Sequence, residues 1–176
     1  MMILIYGGSG SGKSAFAEQR IKELNVSGNN LYYLATMQVF DDEDMERVNR
    51  HRKNRADKNF KTIEQPKDIA LIMPEMKEEP SDILLECMSN LIANEMFSDG
   101  IINGKKVLDK LKKEIVLLND SCRNFVIVSN NIFEDGIVYE AETMEYINIL
   151  GDINIFLSGL SDEVWEVVAG IPIRLK

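Results

Sequence analysis

The chain has 176 residues, 45% hydrophobic and 28% charged, which suits one domain with a real core and excludes a disordered chain. Its net charge of -9 argues against nucleic-acid binding through the phosphate backbone, and two distant cysteines, Cys87 and Cys122, exclude a disulfide scaffold or a cysteine zinc cage and suit a reducing compartment. No apolar run is long enough to span a bilayer, and "MMILIYGG" has no basic leader or cleavage site, so a cytoplasmic protein with no membrane span is expected.

Met2 to Tyr6 is a short apolar run bounded by glycine, the pattern of a buried strand. A glycine-serine loop follows from Gly7 to Gly12. Phe16, Ala17, Ile21 and Leu24 then recur at helical spacing, and Gly28-Asn29-Asn30 ends that helix. Leu31 to Ala35 reads as a second strand. Asp41 to Arg55 reads as a helix, acidic at its start and basic at its end, an order that suits the helix dipole. Phe60 to Ile63 is a short strand, and Pro74 and Pro80 bracket a polar connector. Asp82 to Leu85 is a strand, followed by a helix to about Phe97. Lys105 to Cys122 is an amphipathic helix, Phe125 to Ser129 a strand, and Glu140 to Ser158 a helix weakened by Gly151. Glu163 to Val168 and Ile171 to Leu175 close the chain as strands. Alternating strands and helices, with no break in composition, predict a single α/β domain over 1–176 with a mostly parallel sheet covered on both faces.

The stretch Gly7-Gly8-Ser9-Gly10-Ser11-Gly12-Lys13-Ser14 fits G-x-x-x-x-G-K-[ST], between a strand and a helix as that motif requires. Glycines let backbone N–H groups converge on phosphate oxygens, and the helix N-terminus adds partial positive charge. Lys13 is placed to reach the β- and γ-phosphates and the Ser14 hydroxyl to hold Mg²⁺. Such a three-layer α/β/α P-loop fold needs an acid at a neighbouring strand end. Glu86 supplies one; the alternative is a solvated strand-end carboxylate. Switch GTPases read guanine with Asn-Lys-x-Asp; Asn130-Asn131-Ile132-Phe133 lacks the Lys and Asp, which argues against a regulatory GTPase.

His51 is the sole histidine, between Arg50 and Arg52. The plain reading is a surface residue on a charged helix. The alternative is a nucleophile: Arg47, Arg50, Arg52, Lys53 and Arg55 would hold a triphosphate, and their charge would keep the imidazole neutral for attack on phosphorus.

Nearly the whole chain resembles the bifunctional adenosylcobinamide kinase/adenosylcobinamide-phosphate guanylyltransferase family of cobalamin biosynthesis. The resemblance is carried by "MILIYGGSGSGKSAFAE", "LYYLATMQVFDDEDMERVNRHRKNR", "FKTIEQP", "DILLECMSNLIANEMF", "VIVSNN", "GIV" and "DEVWEVVAGIPIRLK". It implies a doubly wound P-loop fold and a homotrimer. It also implies phosphorylation of adenosylcobinamide by ATP or GTP, and GMP transfer from GTP through a guanylyl-histidine on His51, with Lys13 serving the phosphate site. The family's nucleotide contacts fall on Gly7, Gly8, Ser9, Gly10, Ser11, Gly12, Lys13, Ser14, Ala35, Thr36, Met37, His51, Arg52, Lys53, Asn54, Glu64 and Glu86, with Mg²⁺ at Ser14 and Glu86.

The pattern departs from the family between Asn131 and Phe156. The family's Asn-Glu-Val-Gly is Asn130-Asn131-Ile132-Phe133 here, and Gly-Ile-Val-Pro is Gly136-Ile137-Val138-Tyr139. The following helix carries Glu140, Glu142, Glu145 and Asp152 where basic residues are usual, keeping Gly151 and Asn154. Gly10 stands at a common Arg position. The alternative function is a divergent member that binds nucleotide without one or both activities.

Overall fold

The computed structural model describes residues 1–26, 28, 30–38, 59–76, 80–98, 100, 103–133, 136–137 and 139–176. The predicted helix from Asp41 to Arg55, with His51, Arg52, Lys53 and Asn54, lies outside the described residues.

The strands are β1 (Met2–Gly7), β2 (Asn30–Ala35), β3 (Lys61–Glu64), β4 (Ser81–Glu86), β5 (Asn124–Asn130), β6 (Glu163–Val168) and β7 (Ile171–Arg174). They form one seven-stranded sheet of order β3-β2-β4-β5-β1-β6-β7. Neighbouring pairs are parallel except β6 with β7. The helices are α1 (Lys13–Leu24), α2 (Met88–Phe97), α3 (Gly104–Ser121) and α4 (Ala141–Leu160), with a 3-10 helix over Ile69–Met76.

Side chains alternate across a strand, so the apolar runs of the central strands feed two cores. On one face Ile3, Ile5, Tyr33, Leu84, Val126 and Val128 pack with Ala17 and Ile21 of α1. On the other, Leu4, Leu34, Ile83, Leu85 and Ile127 pack with Leu91 of α2, Leu111 of α3 and Ile153 of α4. Each fully buried aliphatic side chain contributes about 1.5–3 kcal/mol relative to exposure. Helices therefore cover both sheet faces, as the predicted three-layer arrangement requires.

One local expectation changes: the polar connector expected between Pro74 and Pro80 begins inside a 3-10 helix, Ile69–Met76, which contains Pro74 and buries Ile69, Ile72 and Met76. The helix expected from Glu140 to Ser158 is present as α4, which runs to Leu160 through Gly151. A Cβ there would meet the Phe133 ring at 3.6 Å, an ordinary packing distance.

Candidate nucleotide site

Because β1 lies between β5 and β6, the loop that leaves Gly7 opens at the carboxyl edge of the sheet, where ligands bind in open α/β folds. Gly7 pairs with Asn130, and the Asn131 N–H donates to the Gly7 carbonyl at 3.0 Å. A Cβ on Gly7 would stand 2.5 Å from the Val167 carbonyl oxygen and 2.8 Å from Ser11 Oγ, so no larger residue fits. The loop then turns through positive φ at Gly10 and Gly12, and Gly12 caps α1. The first turn of α1 carries no acid, which leaves its N–H groups and dipole open to an anion.

Lys13 is buried, and its Nζ donates to the Gly8 carbonyl at 2.9 Å, folded over the loop. Burial lowers its pKa, and the nearby Glu86 carboxylate pulls the other way. A polyphosphate in the loop would add the opposite charge that burial makes Lys13 lack. One residue on, Ser14 Oγ donates to Glu86 Oε1, while the Tyr33 hydroxyl holds Glu86 Oε2 at 2.8 Å. The strand-end acid predicted from sequence thus touches the loop's own serine.

Strand register sets the rest. Ala35 pairs with Glu64 on one side and Glu86 on the other, so the three line up along one edge. Glu64 is exposed and Met37 half-buried. Thr36 is fully buried and knitted inward: its N–H donates to the Glu86 carbonyl, and Oγ1 donates to the Cys87 carbonyl and accepts from the Cys87 N–H, both at 2.8 Å. Its carbonyl accepts from Asn94 Nδ2 at 2.7 Å. The described members of the predicted nucleotide set therefore share one edge, from Glu64 to the loop.

Sequence reasoning missed the supports. Asn94 ties Thr36 to the Pro66 carbonyl at 3.0 Å. Asn130 Nδ2 donates to Ser89 Oγ at 2.6 Å, and Ser129 Oγ to Asn154 Oδ1 at 2.6 Å, so Asn154 secures the end of β5 beside the loop. Glu145, in the divergent segment, accepts from the Gly104 N–H at 2.8 Å, an acid at the start of α3. For Asn94 the signal was a polar residue in an apolar stretch, which needs a partner when buried; Glu145, among other acids, carried no such signal.

A family model described as cobinamide kinase / cobinamide phosphate guanyltransferase matches residues 3–175. The chain belongs to this family. It is 31% identical to the bifunctional adenosylcobalamin biosynthesis protein CobU of Escherichia coli (strain K12) and 32% identical to that of Salmonella typhimurium (strain LT2), each match covering 100% of both chains. Its identity to the bifunctional adenosylcobalamin biosynthesis protein CobP of Pseudomonas aeruginosa is 28%, over 100% of this chain and 98% of the relative. A solved structure of an ATPase domain superposes with a TM-score of 0.55 at 10% identity, over 94% of this chain and 68% of that one, a likeness of fold alone. Within the cobinamide kinase / cobinamide phosphate guanyltransferase family, the loop described above is this chain's candidate nucleotide seat. Among the described residues no helix is long and apolar enough to cross a membrane.

Proposed function

We propose that this chain phosphorylates the hydroxyl of adenosylcobinamide and then transfers GMP from GTP to the resulting phosphate. The observation that carries the reading is the full-length family match together with an intact Gly7–Ser14 loop whose lysine and serine stand beside Glu86.

In the first reaction the substrate hydroxyl oxygen attacks the γ-phosphorus of ATP or GTP, the bond to the β-phosphate oxygen breaks, and the hydroxyl proton is lost. The loop's N–H groups and Lys13 hold the phosphates in line and offset their charge. Ser14 and Glu86 are hard oxygen donors meeting at the start of α1, a pair that fits Mg²⁺. That ion would supply further neutralisation of phosphate charge. In the second reaction the neutral His51 imidazole attacks the α-phosphorus of GTP and pyrophosphate leaves. An oxygen of adenosylcobinamide phosphate then attacks the guanylyl-histidine, giving a diphosphate-linked product and free His51. Arg52, Lys53 and Asn54 belong to the same nucleotide set. Ala35 and Glu64 lie at paired strand ends on the edge that Glu86 shares, with Met37 two residues on and Thr36 holding that edge in place. The free cysteines Cys87 and Cys122 suit work in the cytoplasm. The working unit is a homotrimer of one nucleotide-binding domain per chain, in line with the family resemblance.

The test uses GTP labelled at the α-phosphate. Acid-labile, base-stable label on the wild-type chain and none on His51→Ala is the expected result, with Lys13→Ala abolishing phosphorylation of adenosylcobinamide. An unlabelled wild type that still binds GTP would favour a family member restricted to nucleotide binding.

A further inference from the structure

The β6–β7 hairpin reaches the phosphate loop from the far end of the chain. Val168 pairs with Ile171, leaving Ala169 and Gly170 as a two-residue turn with φ of 49° and 82°. Hairpin turns of this kind need positive φ at both central residues. At its tip the Gly170 N–H donates to the Ser11 carbonyl at 2.8 Å. The approach is close, since a Cβ on Gly12 would lie 3.4 Å from Gly170 Cα.

The consequence follows from peptide geometry. The Ser11 carbonyl and the Gly12 N–H belong to one trans peptide unit, in which C=O and N–H point in opposite directions. Holding Ser11 O on the hairpin turns the Gly12 N–H to the other side of the loop. Among the described residues no backbone carbonyl accepts that N–H. A flipped peptide would instead present the Ser11 carbonyl oxygen there, and phosphate would meet a like partial charge.

The hairpin is itself fixed to the helix that follows the loop. Trp165 of β6 meets Phe16 of α1 edge-on at 5.2 Å between ring centres. Arg20 of α1 binds Glu163 of β6 with Nη2 at 2.9 and 3.1 Å from its two oxygens, and Arg174 of β7 stands 3.6 Å from the same carboxylate. Loop, helix and hairpin are thereby held together at three points.

We propose that Gly170 is a positioning residue for the nucleotide's phosphates: its N–H locks the Ser11–Gly12 peptide so that the Gly12 N–H faces them. The inference rests on the reading of Gly7–Ser14 as the phosphate seat. Space around Gly170 is open, so substitutions there test backbone conformation rather than room. Asn tolerates the left-handed region and a β-branched residue does not.

The experiment is calorimetric titration of the full chain with GTP and with inorganic tripolyphosphate, beside thermal melting. Gly170→Asn is expected to bind both within about twofold of wild type, and Gly170→Val about tenfold more weakly. A third variant places glycolic acid at 170 by nonsense suppression, replacing the N–H with an ester oxygen and leaving every side chain unchanged. It is expected to bind tripolyphosphate about tenfold more weakly at temperatures where it is fully folded. A hairpin that only stabilised the fold would lower Tm and leave the affinity of the folded chain unchanged. Wild-type affinity in the ester variant overturns the positioning role, even where Gly170→Val fails to fold. A wild type that binds neither GTP nor tripolyphosphate overturns the phosphate-seat reading and this inference with it; wild-type binding that Lys13→Ala weakens and the ester leaves intact overturns this inference alone.

Discussion

Ser14 Oγ and the Tyr33 hydroxyl grip opposite oxygens of one carboxylate, Glu86 Oε1 and Oε2. The first comes from the start of α1 and the second from β2, so Glu86 is fixed between the phosphate loop and the neighbouring strand. Glu86→Gln keeps the shape and removes the charge. It is expected to lower kcat for the kinase step by about a hundredfold or more, because charge placement dominates phosphoryl transfer. Tyr33→Phe leaves the carboxylate charged and less well held. It is expected to cost about three- to tenfold and to raise the Mg²⁺ concentration needed for half-maximal rate. Steady-state rates over a Mg²⁺ series check both; equal Mg²⁺ dependence in Tyr33→Phe and wild type would remove the tyrosine from the site.

Two adjacent glycines in the loop should behave differently. An alanine Cβ at Gly7 would sit 2.5 Å from the Val167 carbonyl oxygen, a backbone atom of the next strand, whereas at Gly8 no atom lies within 4 Å among the described residues. Gly7→Ala is therefore expected to destabilise the chain by about 2–4 kcal/mol, and Gly8→Ala by less than about 0.5 kcal/mol. Urea unfolding of the pair measures the difference. Comparable midpoints would show that β6 can withdraw from the loop at little cost.

The contrast between these glycines marks the limit of what the sequence reveals. Motif spacing identifies Gly7, Gly12, Lys13 and Ser14 as a phosphate loop, since backbone convergence on phosphate demands those residue types locally. The strands around Ile3, Leu34, Leu84 and Val126 are legible as well, because strands buried on both faces read as unbroken apolar runs. Nothing local reports that Val167 and Gly170 return to brace the loop, or that Thr36 bonds to the Cys87 backbone. Those contacts join residues far apart in the chain, and their partners are backbone atoms with no side-chain signature. The helix over Ile69–Met76 was hidden for another reason. Pro74 breaks the α-helical reading, while Ile69 and Ile72, three apart, follow the shorter 3-10 period.

Stability should fall as pH rises through neutrality because of Glu114. This residue of α3 is buried, and among the described residues its Oε2 has no hydrogen-bond partner. Burial pushes its pKa up from 4.5 to about 7; Lys110 on the same helix and a hydrogen bond from the Ile69 backbone oppose the rise, and Glu95 of α2 and Asp68 add to it. Lys110 is shared, 2.6 Å from Glu95 Oε2 and 2.6 Å from Asp68 Oδ1. Below the unfolded pKa the carboxyl is protonated in both states, and that stability is fully present. Between 4.5 and about 7 the folded chain holds more protons than the unfolded one, so unfolding becomes easier as pH increases. Glu114→Gln removes this dependence. Relative to that variant, wild type is expected to lose on the order of 1–3 kcal/mol between pH 5 and pH 8. Denaturant unfolding at the two pH values checks it, and parallel curves for both proteins would place the titration elsewhere.

Thr36 separates a structural demand from a ligand contact at the same position. Its hydroxyl bridges the N–H and C=O of buried Cys87, and its backbone joins Glu86 on one side and Asn94 on the other. Thr36→Val preserves the branched shape and leaves both Cys87 groups without that partner. The expected cost is about 2–4 kcal/mol, lowering Tm by roughly 5–10 °C for a chain of this size. Thr36→Ser keeps the oxygen and loses one methyl group, so its cost should stay near 1 kcal/mol. Because Ala35 and Met37 flank the bridge, Thr36→Val should also raise KM for the nucleotide several-fold when assayed well below its Tm, and Thr36→Ser should restore it. A KM unchanged in Thr36→Val despite the lower Tm would confine the bridge to holding β2 against β4, with no influence on how the strand ends meet the nucleotide.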